Sequence, residues 1–234
     1  MNASLLAFDT STEAMAVAVQ TPQRLATWNG AGGAAASALL LPQIRALLQQ
    51  CGIELAELQA IAFGAGPGAF TGLRTACAVA QGLAFGASLP VLPLDSLAVV
   101  AEGVREAHAA ADVDVLMDAR MGELYAGRYR FSGARWQPLR VPALYTLDAL
   151  HQAWDAAPPS CVAGSALPAF GERLRSGAAR RIDSDIDRAA ALLRLAQQAW
   201  RDGGSVDAAA ALPLYLRDKV ALTVAERDAA RGAA

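Results

Sequence analysis

At 234 residues, with a formal net charge of -2 and 54% hydrophobic residues, the chain has enough apolar material for two compact lobes and too much of it for disorder. An isoelectric point near 5.7 excludes a global basic field that would hold nucleic acid unaided. Three scattered cysteines, Cys51, Cys77 and Cys161, have no CxxC spacing; that excludes a disulfide framework or zinc knuckle and leaves them as buried small residues of a reducing compartment.

The N-terminus, MNASLLAFDTSTE, lacks a basic n-region and is not expected to be a signal peptide. Ser4 to Asp9 reads as a buried strand and Ala14 to Gln20 as a second across the polar turn TSTE, with Arg24 to Trp28 closing a meander. A helix is expected over Ala34 to Cys51, where Leu40, Leu41, Ile44, Leu47, Leu48 and Cys51 recur at helical spacing and Gly52 stops it. Ala35, Ala36, Ala38 and Leu39 widen its apolar character beyond one stripe, so this helix needs cover on two sides.

Gln59 to Phe63 is the next strand, and it runs into Gly64 to Arg74, GAGPGAFTGLR. Three glycines and a proline within five residues force a sharp turn free of side chains. Thr71 is expected as the N-cap of the helix that follows, about Gly72 to Phe85. The loop matches neither GxxxxGK[ST] nor GxGxxG, because no lysine follows the glycines and Pro67 interrupts the second pattern. Strand, glycine loop and helix start together make an anion or partner site, or a turn with no ligand. Thr75 to Leu94 is uncharged, yet Gly82, Gly86, Pro90 and Pro93 break it into helix, turn and strand, so no membrane span is expected and cytoplasm is the default. Val91 to Leu94 and a helix from Ser96 to about Ala107 end the first half.

The order then repeats. Val113 to Asp118, Glu123 to Phe131 and Trp136 to Leu144 read as strands and Leu147 to Asp155 as a helix. Cys161 to Ala163 (strand), Pro168 to Arg175 (helix), Arg180 to Ile182 (strand) and Asp187 to Arg201 (helix) follow. Two lobes are expected, each a mixed β-sheet with the order β-β-β-α-β-α-β-α: residues 1–107 carrying the partner-binding helices, and a smaller lobe 108–234 whose tail, 206–234, packs back on the first.

Such duplicated halves resemble the actin-like (ribonuclease H-like) fold of sugar kinases and Hsp70 ATPases. In that superfamily, turns equivalent to Asp9–Glu13 and Asp118–Glu123 approach nucleotide phosphates. The resemblance marks Asp9, Thr10, Gly66, Gly68 and Asp118 as a vestigial phosphate set. Asp9 and Asp118 read either as carboxylates holding magnesium through water or as cap and turn residues. Ala119 and Arg120 stand where a nucleotide-binding member has glycines, which argues against autonomous ATP hydrolysis.

FDTST, GAGPGAFTGLR followed by AQGLAFG, DARMGELY and PLYLRDKVALT together are similar to the TsaB (YeaZ) family of the tRNA threonylcarbamoyladenosine machinery, over nearly the whole chain. Ala36-Ser37 stands where that family often has His-Ser. The resemblance implies a non-catalytic subunit that binds the catalytic paralogue TsaD through a helix bundle, with the ATPase TsaE as third component. tRNA is engaged indirectly through the complex, and the subunit pairs with itself as a homodimer when alone. It carries the interface role to Leu40, Ile44, Leu47, Leu73, Cys77 and Ala80, which periodicity alone assigns equally well to the chain's own core. It implies no intrinsic cofactor, with ATP and magnesium entering only through the assembled complex.

The residues point the same way. His108 and His151 are 43 positions apart and form no HxxxH pair of the kind a metal-dependent transferase needs. They read as surface or helix-end residues. No serine, threonine or cysteine carries a local peptidase signature. The alternative is an ATP-dependent small-molecule kinase or ATPase built around Asp9, Thr10 and the glycine loop.

Overall fold

The computed structural model describes residues 2–183 and 186–217. Strands β1 (Leu5–Asp9), β2 (Ala14–Gln20) and β3 (Leu25–Ala31) form the expected antiparallel meander. Helix α1 (Ala36–Cys51), strand β4 (Ala60–Gly66), helix α2 (Phe70–Ala87), strand β5 (Val91–Asp95) and helix α3 (Ser96–His108) complete the first half. The second half repeats that order. Strands β6 (Asp112–Asp118), β7 (Glu123–Ser132) and β8 (Arg135–Thr146) lead into helix α4 (Leu147–Ala156). Strand β9 (Cys161–Ala163), helix α5 (Ala166–Phe170), strand β10 (Arg180–Ile182) and helix α6 (Arg188–Arg201) follow.

Each half contributes a five-stranded mixed sheet, ordered β3-β2-β1-β4-β5 and β10-β9-β6-β7-β8. In the first sheet β1, β4 and β5 run parallel, and in the second β6, β9 and β10 do. The fold is therefore two actin-like lobes. Strand alternation gives each sheet two apolar faces. Leu6, Phe8, Val17, Ile61 and Phe63 pack under α1 and α2, whereas Leu5, Ala7, Ala18, Ala62 and Leu92 pack under α6. On the second sheet, Val113, Val115 and Met117 meet Leu97, Val100 and Val104 of α3, and Leu116, Leu124 and Val162 meet α4 and α5. The helix that ends each half thus covers the sheet of the other half. α3 and α6 also pack on each other, and α1 and α2 form the outer layer of the first sheet.

Two local expectations change. α2 starts at Phe70 with Ala69 at the cap position and no side chain bonded to it, so Thr71 lies inside the first turn, exposed, and is not the N-cap. Gly72 explains the early start: its α-carbon faces the Thr10 carbonyl so closely that a Cβ would overlap the oxygen, and Thr10 Oγ1 donates to the Gly72 carbonyl at 2.7 Å. α5 is also shorter and earlier than the expected Pro168 to Arg175, since Gly171 at φ 55° turns the chain out of the helix.

The described tail bridges Val206 to Val91, then Leu214 N–H donates to the Ala65 carbonyl at 2.7 Å. Arg217 reaches the second lobe, bonding the carbonyls of Ala119 and Arg120 and pairing with Glu123 at 2.8 Å. The remainder of the tail motif, from Asp218 on, lies outside the described residues. No helix of the described residues is long and apolar enough to cross a membrane.

Candidate functional site

Between the sheets lies a cleft of about 1230 Å³, lined among others by Ser11, Gly68, Asp118, Ser165, Arg188 and Leu216. The β1–β2 turn closes one side of its mouth and the β6–β7 turn the other. Arg120 Nη2 donates to Glu13 Oε1 at 2.8 Å across the gap, and its Nη1 lies 3.4 Å from Asp118. Arg120 and Met121 both adopt positive φ, at 64° and 56°. Asp118 stabilises this turn by accepting the Arg120 N–H at 2.9 Å.

The vestigial phosphate set divides on inspection. Asp118 and Gly68 line the cleft, with Gly68 packed against Ser11. Asp9 and Thr10 are fully buried, and Gly66, at φ 120°, lies against the Leu214 carbonyl. The Asp9 carboxylate is already engaged: Oδ1 accepts the Ser11 N–H at 2.6 Å, and Oδ2 accepts from Arg188 Nη2 at 3.1 Å. It also rests on the backbone of β4, where any Cβ at Gly64 would strike it. A magnesium ion held by Asp9 would face the Arg188 guanidinium, so these residues do not fit a metal-bound nucleotide. Among the described residues no three His, Cys, Asp or Glu side chains converge as a metal cluster.

A contact from the second lobe anchors the start of α3. Asp95 caps α3 by accepting the N–H groups of Leu97 and Ala98, and it receives the Tyr129 hydroxyl at 2.6 Å. Burial pushes the Asp95 carboxyl up from its ordinary value, against the opposing pull of the Tyr129 and backbone hydrogen bonds. Burial acts on Glu102 in the same sense, but hydrogen bonds from Arg105, Trp136 and Arg194 more than reverse it and hold that carboxyl below its usual range.

The six residues assigned to a partner interface from sequence are all core in this structure. Leu40, Ile44, Leu47, Cys77 and Ala80 sit in the cluster between the helices and the first sheet, and Leu73 is buried beside Gly66. The surface of the same two helices is an interleaved set. On α1 it comprises Ala38, Leu41, Pro42, Arg45, Ala46 and Gln49, and on α2 Ala78, Gly82, Phe85 and Gly86. Leu41 is 49% and Phe85 83% exposed, and a Cβ at Gly82 or Gly86 would meet nothing within 4 Å. Ala78, Gly82 and Gly86 recur at i+4, a smooth ridge open to the approach of another helix. The i+4 spacing was visible in sequence; which of two equally apolar stripes faces the sheet was not.

The histidines also separate. His108 ends α3 as expected, whereas His151 is buried in the middle of α4, its Nε2 accepting the Arg175 N–H at 3.2 Å. All three cysteines are buried and free.

These features define a two-lobed actin-like domain with a cleft whose Asp9 is paired to Arg188 and with an open outer helix pair. A family model described as "TsaD: tRNA N6-adenosine threonylcarbamoyltransferase" matches residues 33–157. The tRNA threonylcarbamoyladenosine biosynthesis protein TsaB of Haemophilus influenzae is 33% identical, over 94% of this chain and 95% of the relative. TsaB of Escherichia coli is also 33% identical, over 93% and 96%. YeaZ from Pseudomonas aeruginosa superposes with a TM-score of 0.82 at 37% identity, covering 92% of this chain and 100% of that one. The chain belongs to the TsaB (YeaZ) family.

Proposed function

We propose that the chain is the non-catalytic scaffold and activator subunit of the cytoplasmic complex that transfers a threonylcarbamoyl group to the adenosine 3' of the anticodon in tRNA. It binds the catalytic paralogue TsaD, and TsaE engages the resulting assembly. The observation that carries this reading is the outer face of α1 and α2. Its small residues and isolated apolar side chains, Leu41 and Phe85, have no cover among the described residues and offer a close-packed seat for a second helix pair. The same face serves a homodimer when TsaD is absent.

The cleft supports the non-catalytic part. Asp9 is neutralised by Arg188, and the Arg120–Glu13 pair bridges the mouth where phosphates would enter. Reconstituted transfer of threonylcarbamoyl to tRNA by TsaD and TsaE, measured with and without this chain, tests the proposal. Turnover should depend on the chain; equal turnover without it would refute the scaffold role.

A further inference from the structure

Arginines on the other strands of the second sheet pair with carboxylates. Arg128 and Arg130 meet Asp112, Arg135 meets Asp202 and Arg140 meets Asp114. At the β10 edge this pattern stops. Arg173, Arg175, Arg180 and Arg181 are all exposed, and among the described residues none lies within 4.0 Å of a carboxylate. Glu172, Asp183 and the α4 residues Asp148 and Asp155 are the acids nearest in sequence or packing, and they too are exposed.

Neutral groups hold this edge instead. Arg181 donates to the carbonyls of Leu174 and Gly171 at 2.9 and 3.0 Å, and Arg173 sits 5.0 Å from the centre of the Phe170 ring. Arg175 is anchored through its backbone N–H, which donates to His151 Nε2 and leaves Nδ1 as the ring's own donor, so its guanidinium gains no hydrogen bond from that ring. Arg180 donates to the His108 carbonyl at 3.2 Å from the other face of the strand. A guanidinium carries five N–H donors, so Arg180 and Arg181 keep most of theirs while hydrogen bonds fix their position, and Arg173 and Arg175 keep theirs open. At Arg181, binding a phosphate then costs little further side-chain ordering.

We propose that this edge, centred on Arg173, Arg175 and Arg181, contacts the phosphodiester backbone of a folded RNA. Resting on the reading above, that RNA is the tRNA carried by the TsaD complex. Forked donors that pair with no carboxylate among the described residues suit phosphate oxygens, and one aromatic-backed arginine suits a backbone flanked by bases. The overall charge of -2 makes this a contributory surface within an assembly and not an autonomous binder.

Fluorescence anisotropy of labelled, unmodified tRNA on the chain–TsaD complex, read across a salt series, tests it. Arg173→Ala with Arg175→Ala leaves Arg181 to hold the turn. The pair should weaken binding about three- to tenfold and flatten the slope of log affinity against log salt by about 1.5. Arg173→Lys with Arg175→Lys should restore the slope, and co-elution with TsaD and the melting temperature should stay as in the parent. Unchanged affinity and slope with TsaD still bound would overturn the proposal. So would arginine-dependent binding of poly-glutamate or of phosphatidylserine vesicles at equal strength, which would reassign the edge to an acidic partner or a membrane. Failure of the parent chain to co-elute with TsaD would instead strike the scaffold reading.

Discussion

Asp9 and Arg188 lie 179 positions apart and join the first strand to the last helix. Asp9 is fully buried and the Arg188 side chain is 11% exposed, at an N–O distance of 3.1 Å. At that distance and an effective dielectric of about 20, the gross attraction is roughly 5 kcal/mol, largely offset by the desolvation of both ions. Removing one partner forfeits the attraction and keeps the other charge's desolvation, so Asp9→Asn or Arg188→Met alone should each cost about 3–5 kcal/mol. The double variant should recover much of that loss, since neither charge is then stranded. Urea unfolding of the four proteins in a double-mutant cycle gives the coupling. A value below about 0.5 kcal/mol would refute the pairing. Isothermal calorimetry with magnesium-ATP on the parent provides the contrast: binding that is abolished by Asp9→Asn would show the carboxylate to be a metal-site residue and favour the ATPase alternative.

Three further outcomes follow from the outer helices and the central acids. Leu40→Ala, in the core, should cost about 2–5 kcal/mol, whereas Leu41→Ala, one residue on, should stay within about 0.5 kcal/mol of the parent in stability and weaken TsaD capture in a pull-down. Gly82→Ala should raise helix stability by about 0.5–1 kcal/mol in thermal unfolding, and Gly82→Trp should leave the fold intact yet abolish co-elution with TsaD by filling the ridge. Glu102 is depressed below its ordinary value near 4.5, so its contribution is present above that pH and lost as the pH falls through its folded value. Stability curves of the parent and Glu102→Gln should therefore converge in acid, and curves that stay parallel down to that range would exclude this linkage.

The element order was legible because apolar runs and punctuating residues coincide. Gly52 ends α1, β4 runs through Gly66 and stops at Pro67, and the unbroken apolar run in Ser4 to Asp9 marks a strand buried on both faces. The site was less legible. Leu39, Leu40 and Leu41 are consecutive, so α1 is apolar around much of its circumference, and only the sheet beneath it selects Leu40 inward and Leu41 outward. Periodicity places a side chain on a face of its own element and says nothing of which element covers that face. For the same reason the crossing of α3 and α6 was invisible, as was the Asp9–Arg188 pair. Arg120 stood out in sequence as an intruder among expected glycines, but its partner Glu13 became apparent only when the two turns were brought together.

The placement of α6 has a consequence for synthesis. One face of the first sheet, Leu5, Ala7, Ala18, Ala62 and Leu92, is covered by residues 189–196, nearly the last of the described chain to be made. While the ribosome is still translating the second half, that face has Val99 of α3 against it but lacks its α6 cover, and a chaperone that recognises apolar strands has its longest opportunity there. Nascent chains released at residue 187 should therefore be captured by such a chaperone and should fail to mature, although every strand of the first sheet is already present.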